Sequence, residues 1–381
     1  MHLSDWMERV DLKVEMQEVY LHSFLFKLAI NLVAIFLPLY ILEMGYSTST
    51  VFIFFAIYYG IYLFFSFPGA WIATKLGYKH TSLLTSPFIL AFYLLLRSNP
   101  GTPGLYLTAL VGGLSFNLYW MGMNPEIAES SHDKDREKET GFFFSMPTLA
   151  SLLSPVVGGL ILADYSFDLL FMIATILIGL SFTPFLFSRE HREGMDVNPR
   201  TFFSMEYFND FMTYTFKGAQ SMVKKVLWPL YLAMIIGGSV KIGSAGSLLA
   251  LGSAIASIGL GQYTDDSNRN QVILSGVAVT SATFLLMSFV TAPVTAAIVS
   301  FINGLGRTAI SLPVYSRAMD RAEDKDYVEY FAFREIGLST GRTATLLAFL
   351  LIFLYLPNKF LLGFTYAAIS LLFVGYFSRK I

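Results

Sequence analysis

The chain has 381 residues, 55% of them hydrophobic, a mean hydropathy of +0.58 and a net charge of −1. That is too apolar for a soluble globular protein of this size; the net charge itself says nothing about partners, and no nucleic-acid partner is expected. Cysteine is absent, which excludes a disulfide framework, a thiolate metal site and a redox motif.

The chain opens MHLSDWMERVDLKVEMQEV, with acids where a signal peptide would carry a basic region. No cleaved signal is expected; the segment reads as a short amphipathic leader with Trp6 and Met7 at a membrane interface. Twelve apolar runs follow, at 21–43, 49–72, 80–97, 104–124, 141–162, 167–187, 212–236, 243–263, 271–290, 294–316, 329–353 and 359–378. About 20 apolar residues cross ~30 Å of hydrocarbon, and in lipid the backbone must satisfy its own hydrogen bonds. The expected fold class is therefore an all-α membrane protein of twelve transmembrane helices.

The second half repeats the first. Pro38-Leu39-Tyr40 returns as Pro229-Leu230-Tyr231, Gly113-Leu114 as Gly304-Leu305, and Asp133-Lys134-Asp135 as Asp324-Lys325-Asp326. The offsets 229 − 38, 304 − 113 and 324 − 133 are all 191. The expected domains are a six-helix bundle over 1–187, a linker over 188–211 and a second six-helix bundle over 212–381. Duplicated helix bundles with a site between the halves are a ground plan of secondary transporters.

With twelve spans both termini share one side. Loops on that side hold 16 Lys and Arg; the other side holds Arg97, Lys241 and Lys359. The positive-inside rule then puts both termini and the linker in the cytoplasm of a plasma (inner) membrane. Lys224 and Lys225 test the register. If they anchored the seventh span, only Val226 to about Ser239 would remain, roughly 21 Å at 1.5 Å per residue. The repeat instead starts the span near 212 and sets both lysines mid-helix, which is the preferred reading.

Two motifs carry a family resemblance. Between spans two and three lies Ala70-Trp71-Ile72-Ala73-Thr74-Lys75-Leu76-Gly77-Tyr78-Lys79, answered in the second half by Gly261-Gln262-Tyr263-Thr264-Asp265-Asp266-Ser267-Asn268-Arg269. Span five carries Ala150, Ser154-Pro155 and Gly158-Gly159. With twelve spans in two repeated halves, this pattern resembles the major facilitator superfamily. The first segment is similar to that family's loop motif of glycine, Asp-Arg, glycine and two basic residues; Lys75, Gly77 and Lys79 fit it, while Thr74 replaces the aspartate. The resemblance implies a conformational latch of Thr74, Lys75, Gly77, Lys79, Asp265, Asp266 and Arg269. Ser154, Pro155, Gly158 and Gly159 match a helix-packing element associated with proton-coupled antiporters and exporters. Small-residue packing alone explains that spacing equally well.

Seven basic residues fall inside the spans: Lys27, Lys217, Lys224, Lys225, Arg307, Arg334 and Arg342. Each costs about 2.5–3.5 kcal/mol at bilayer depth unless it faces a polar cavity or a partner. Lys27 and Lys217 could snorkel. Lys27, Asn31, Asn117, Lys224, Lys225, Asn303, Arg307 and Arg342 form the candidate binding set, since Arg and Lys grip carboxylate or phosphate where water is excluded. Glu335, the one acid placed well inside a span, is the proton-coupling candidate or a structural counter-ion.

The sequence has no P-loop, no HExxH and no plausible Ser/His/Asp set, and its five histidines fall at or outside span ends. No enzyme, cofactor or metal site is expected. The leading expectation is a monomeric secondary transporter of a small organic anion, working by alternating access in the lipid bilayer. A proton-coupled exporter of amphipathic drugs or lipids and a non-transporting scaffold or receptor with a transporter fold are the alternatives.

Overall fold

The computed structural model describes residues 18, 21–98, 101–129, 137–186, 207–264, 268–323 and 327–380. The described chain is helical, with no strand. The main helices are α1 Leu21–Glu43, α2 Thr48–Phe64, α3 Ser66–Leu76, α4 Tyr78–Arg97, α5 Gly101–Glu129, α6 Glu137–Asp164 and α7 Phe167–Ser181. The second half gives α8 Phe208–Met222, α9 Trp228–Tyr231, α10 Ser239–Tyr263, α11 Arg269–Met287, α12 Pro293–Glu323, α13 Tyr327–Tyr355 and α14 Lys359–Ser378.

Among the described residues nine helices are long and apolar enough to cross a membrane, or ten if α2 and α3, bent by 51°, form one span. Two of the twelve expected spans do not qualify in their own right. Helix α5 is diluted by Asn117, Asn124, Tyr119 and Trp120. The segment from α8 onward is interrupted by π-helical turns at Val223–Leu227 and Leu232–Ile236. Large apolar side chains such as Phe64, Ile258 and Leu354 stand exposed. A surface of that kind suits lipid and would be a liability in water.

Prolines explain the broken helices. A proline lacks an N–H, and its ring clashes with the carbonyl four residues earlier. Pro68 therefore disrupts the ladder at Phe64, where α2 ends, and Pro229 disrupts it at Lys225, inside the first π turn. Pro38, the counterpart of Pro229, follows a turn at Ile35–Phe36 within α1.

The repeat is realised in the packing. A Cβ added to Gly113 would strike the Tyr58 carbonyl, and one added to Gly304 would strike the Leu249 carbonyl; Tyr58 and Leu249 are themselves 191 apart (249 − 58). Likewise Tyr40 donates to the Leu96 carbonyl and packs on Phe167 and Phe171. Its counterpart Tyr231 donates to the Val290 carbonyl and packs on Phe360 and Phe364.

Two seams join the halves. Helix α2 lies on α13, with Phe52 against Phe349 and Phe353. Helix α6 lies on α10, where the Val156 amide donates to Ser247 Oγ at 3.1 Å and Ser239 Oγ donates to the Gly159 carbonyl at 2.9 Å.

Candidate functional site

The seven intramembrane cations converge. On α13, one turn holds Arg334 and Glu335, and Arg342 follows two turns later on the same face. Arg334 Nη1 donates to Glu335 Oε1 at 2.7 Å and Arg342 Nη1 approaches Oε2 at 3.4 Å. Tyr62, from α2 of the other half, donates its hydroxyl to the same Oε2 at 3.0 Å. The carboxylate is 4% exposed and thus has three donors and almost no water.

The π turn at Val223–Leu227 carries Lys224 and Lys225 and sets Lys225 against Tyr59 of the first half. Such turns widen a helix by one residue and re-aim its side chains. Lys225 Nζ donates to Tyr59 Oη at 3.0 Å, and the Arg342 guanidinium lies 5.2 Å from the centre of the same ring. Lys225 is exposed while Val226 through Leu232 are buried, so its accessible surface belongs to the space between the halves.

Lys27 stands 4.5 Å over the Trp120 ring, Lys217 Nζ donates to the Ser311 carbonyl at 3.4 Å, and Arg334 lies 5.2 Å from the Tyr315 ring. The cluster is electrostatically continuous. The charges of Arg307, Lys225 and Lys27 bear on Lys224, those of Arg342, Arg307 and Glu335 on Lys225, and those of Arg334, Arg307, Glu335 and Arg342 on Lys217. Two of the seven, Arg334 and Arg342, are ion-paired with Glu335.

The three asparagines are held by neighbouring helices. Asn31 donates to Ser151 Oγ at 2.9 Å and Asn303 to Thr283 Oγ1 at 2.8 Å. Asn117 donates to the Tyr62 carbonyl at 3.0 Å and to Ser66 Oγ at 3.2 Å, bridging the break between α2 and α3. Its place is therefore behind Tyr62, holding the bend that aims the tyrosine at Glu335.

The residues of the loop motifs are dispersed. Thr74 donates to the Trp71 carbonyl of its own helix, and Lys75 is exposed. Gly77 joins α3 to α4 at φ +94°, a conformation that favours glycine. Lys79 is buried beside Glu126 at 3.6 Å. Arg269 pairs with Asp320 at 2.8 Å within the second half. Asp265 and Asp266 lie outside the described residues, as do the leader through residue 17, most of the 188–211 linker and the Asp133–Asp135 and Asp324–Asp326 repeats. Ser154 donates to the Ala150 carbonyl of its own helix. Pro155, Gly158 and Gly159 line seams: a Cβ on Gly243 would meet the Pro155 carbonyl, one on Gly158 would lie 2.5 Å from the Leu32 carbonyl oxygen, and one on Gly159 would lie 2.7 Å from that of Ser239.

The family model of the Major Facilitator Superfamily matches residues 19–240, more than half of the chain. The chain belongs to the major facilitator superfamily. A curated relative, the uncharacterized protein YqgE of Bacillus subtilis (strain 168), is 23% identical over 285 residues, which is 70% of this chain and 65% of the relative's own length. Two solved structures share the fold. The human organic anion transporter MFSD10 (TETRAN) has a TM-score of 0.66 at 12% identity, covering 96% of this chain and 99% of that one. A POT family transporter in complex with a thioalcohol-conjugated peptide has a TM-score of 0.72 at 14% identity, covering 96% of each. The protein is thus a multi-pass membrane protein of a secondary-transporter family.

Within this major facilitator fold, four cluster members escaped the sequence-derived site: Lys217, Arg334, Tyr59 and Tyr62. The two basic residues carried the same intramembrane-charge signal as Arg307 and Arg342. The tyrosines join the milder polar faces of the first half in the sequence, together with Tyr58, Tyr119 and Trp120, but an aromatic at helical spacing reads first as packing or interface belt. His22, read as lying at a span end, is fully buried against Phe26, Phe182 and Phe185, its Nδ1 bonded to the Ser181 carbonyl at 2.7 Å. A cavity of about 710 Å³ lined by Leu39, Glu43, Tyr165, Ser239 and Lys241 has none of the seven cations in its lining.

Proposed function

We propose that the chain is a secondary transporter of an organic anion, bound between the halves by Lys224, Lys225, Arg307 and Arg342. The observation that carries this reading is the gathering of basic side chains where the halves meet, with Lys225 and Arg342 both on Tyr59 and Glu335 as the carboxylate partner of Arg334 and Arg342. The bundles 1–187 and 212–381 rock about the two seams to expose the site alternately, and the 188–211 linker and both termini face the cytoplasm of the plasma membrane. Lys27, Asn31 and Asn303 border the site. Glu335 couples transport to protons: it is held by Arg334, Arg342 and Tyr62, and an incoming anion that takes over Arg342 loosens that hold. The likeness to MFSD10, titled an organic anion transporter, agrees with this reading at the level of the fold.

A thermal-shift screen of the purified protein against organic anions, lipids and cationic amphiphiles tests it, because a ligand that binds only the folded state raises the melting temperature. Stabilisation by anions alone is expected. Stabilisation by cationic amphiphiles alone would favour a drug exporter. Stabilisation by none of them would favour a non-transporting scaffold.

A further inference from the structure

The cavity of about 710 Å³ is built by both halves. Leu39 and Glu43 of α1, Leu162 of α6 and Phe167 of α7 line it from the first half, and Gly238 to Ile242, which open α10, line it from the second. Ser239 is part of that lining and donates to the Gly159 carbonyl, so the α6–α10 seam closes beside the cavity. A small-molecule site is typically about 300–1,000 Å³, and this space falls in that range. Two opposite charges enter the lining, Glu43 from the first half and Lys241 from the second. Both are exposed, and neither makes a side-chain hydrogen bond or ion pair with a described residue.

Helix stability does not explain where these two charges stand. Glu43 is the last residue of α1, and Lys241 lies in the first turn of α10. Carboxylates suit the N-terminal end of a helix and ammonium groups the C-terminal end, so each charge occupies the end that its helix dipole disfavours. The same placement makes each wall a stronger partner for an opposite charge. Glu43 adds to the negative end of α1; Lys241 adds to the amides that open α10, whose N-cap Gly238 supplies no side-chain cap. We infer that the cavity binds a zwitterion with an apolar body, its ammonium group toward Glu43 and its carboxylate or phosphate toward Lys241. Leu39, Leu162 and Phe167 supply the apolar wall. A free amino acid with an apolar side chain and the headgroup of an ethanolamine phospholipid share this chemistry. Bound there, the zwitterion bridges the halves and favours the arrangement in which they face each other. None of the seven cations lines the cavity, so the inference stands apart from the anion-transport reading.

Calorimetric titration of the purified full-length protein with phenylalanine, with dihexanoyl phosphatidylethanolamine and with phenethylamine, which lacks the acid group, tests this. Phenylalanine or the lipid is expected to bind, and Glu43→Gln and Lys241→Gln should each weaken that binding at least fivefold. Binding of phenylalanine marks a site for free zwitterions, and binding of the lipid alone marks a site for a membrane headgroup; either supports the inference. Because both charges oppose their helix dipoles, the two variants should melt no lower than the unsubstituted protein, so weaker binding reports the cavity and not lost folding. Binding of neither probe would overturn the inference, as would a loss under fivefold in either variant or phenethylamine binding within fivefold of the zwitterion that binds. A lower melting temperature in either variant would give its charge a structural role and would also overturn it.

Discussion

Tyr62 of the first half donates its hydroxyl to Glu335 of the second at 3.0 Å, so the bend at Phe65 and the one carboxylate of the cation cluster are joined across the interface. Behind Tyr62, Asn117 holds the carbonyl that the bend sets free. A bend in one helix and a charge in another thus form one unit, and any rocking of the halves must break or carry this bond.

Tyr62→Phe removes one donor from a buried carboxylate and keeps the ring. The expected loss is about 1.5–3 kcal/mol of stability, the range for a hydrogen bond to a charged group. The loss should vanish in a Glu335→Gln background if the two residues act through each other. A double-mutant cycle on melting free energies measures this; additive losses would mean that Tyr62 acts elsewhere.

Variants of Glu335 test whether this carboxylate couples protons or only neutralises its arginines. Glu335→Gln preserves the shape and a hydrogen-bond acceptor, so exchange of solute for solute should continue while uptake driven by a proton gradient stops. Glu335→Ala leaves Arg334 and Arg342 unpaired in the interior, which should cost about 3–5 kcal/mol. Exchange, uptake and melting temperature measured in parallel on both variants check this. Gradient-driven uptake that survives Glu335→Gln would place proton coupling at another residue.

Arg307→Ala and Arg342→Ala should each abolish anion binding in folded protein, since each removes a planar fork from the proposed site. Arg342→Lys should weaken binding about tenfold or more, because lysine offers a point charge and loses the stacking on Tyr59 and Tyr62. Equilibrium binding on variants with wild-type elution profiles checks it. A folded Arg307→Ala, Arg342→Ala double variant that transports normally would exclude both from the site.

Much of this arrangement was legible in the sequence. The long apolar runs give the helices, the 191-residue offset gives the repeat, and the cost of intramembrane charge picks out the seven cations that converge. Less visible was how they are aimed. Pro229 announces a disruption at Lys225, but a proline is equally compatible with a kink, a break or a π turn, and only the last presents Lys224 and Lys225 as they stand. Asn117 shows the same limit. An amide inside a span advertises a polar partner without saying whether that partner is a solute or, as here, a backbone carbonyl at a neighbouring helix break.

The α6–α10 seam gives a packing test. A methyl at Gly243 would drive into the Pro155 carbonyl, and backbone cannot yield as a flexible side chain can. Gly243→Ala should therefore destabilise by about 1–3 kcal/mol, as overpacking does. Gly179→Ala, at a position with open space around it, should be neutral or slightly stabilising, since alanine is the better helix former. Thermal melts of the two variants decide the matter, and equal behaviour would mean that the seam is loose.

The orientation expected from charge can be tested directly, because a chain without cysteine becomes a single-site reporter with one substitution. Lys380, after α14, and Lys241, at the start of α10, are both exposed. They should lie on opposite sides of the membrane, since the basic loops share the side of Lys380 and Lys241 belongs to the sparse side. Lys380→Cys should react with an impermeant thiol reagent only in inside-out vesicles, as should Gly194→Cys in the linker, and Lys241→Cys only in intact cells. Labelling of Lys380→Cys from outside intact cells would invert the topology. The site would then still lie between the halves, but the basic loops would face outward, against the bias that sets orientation during insertion.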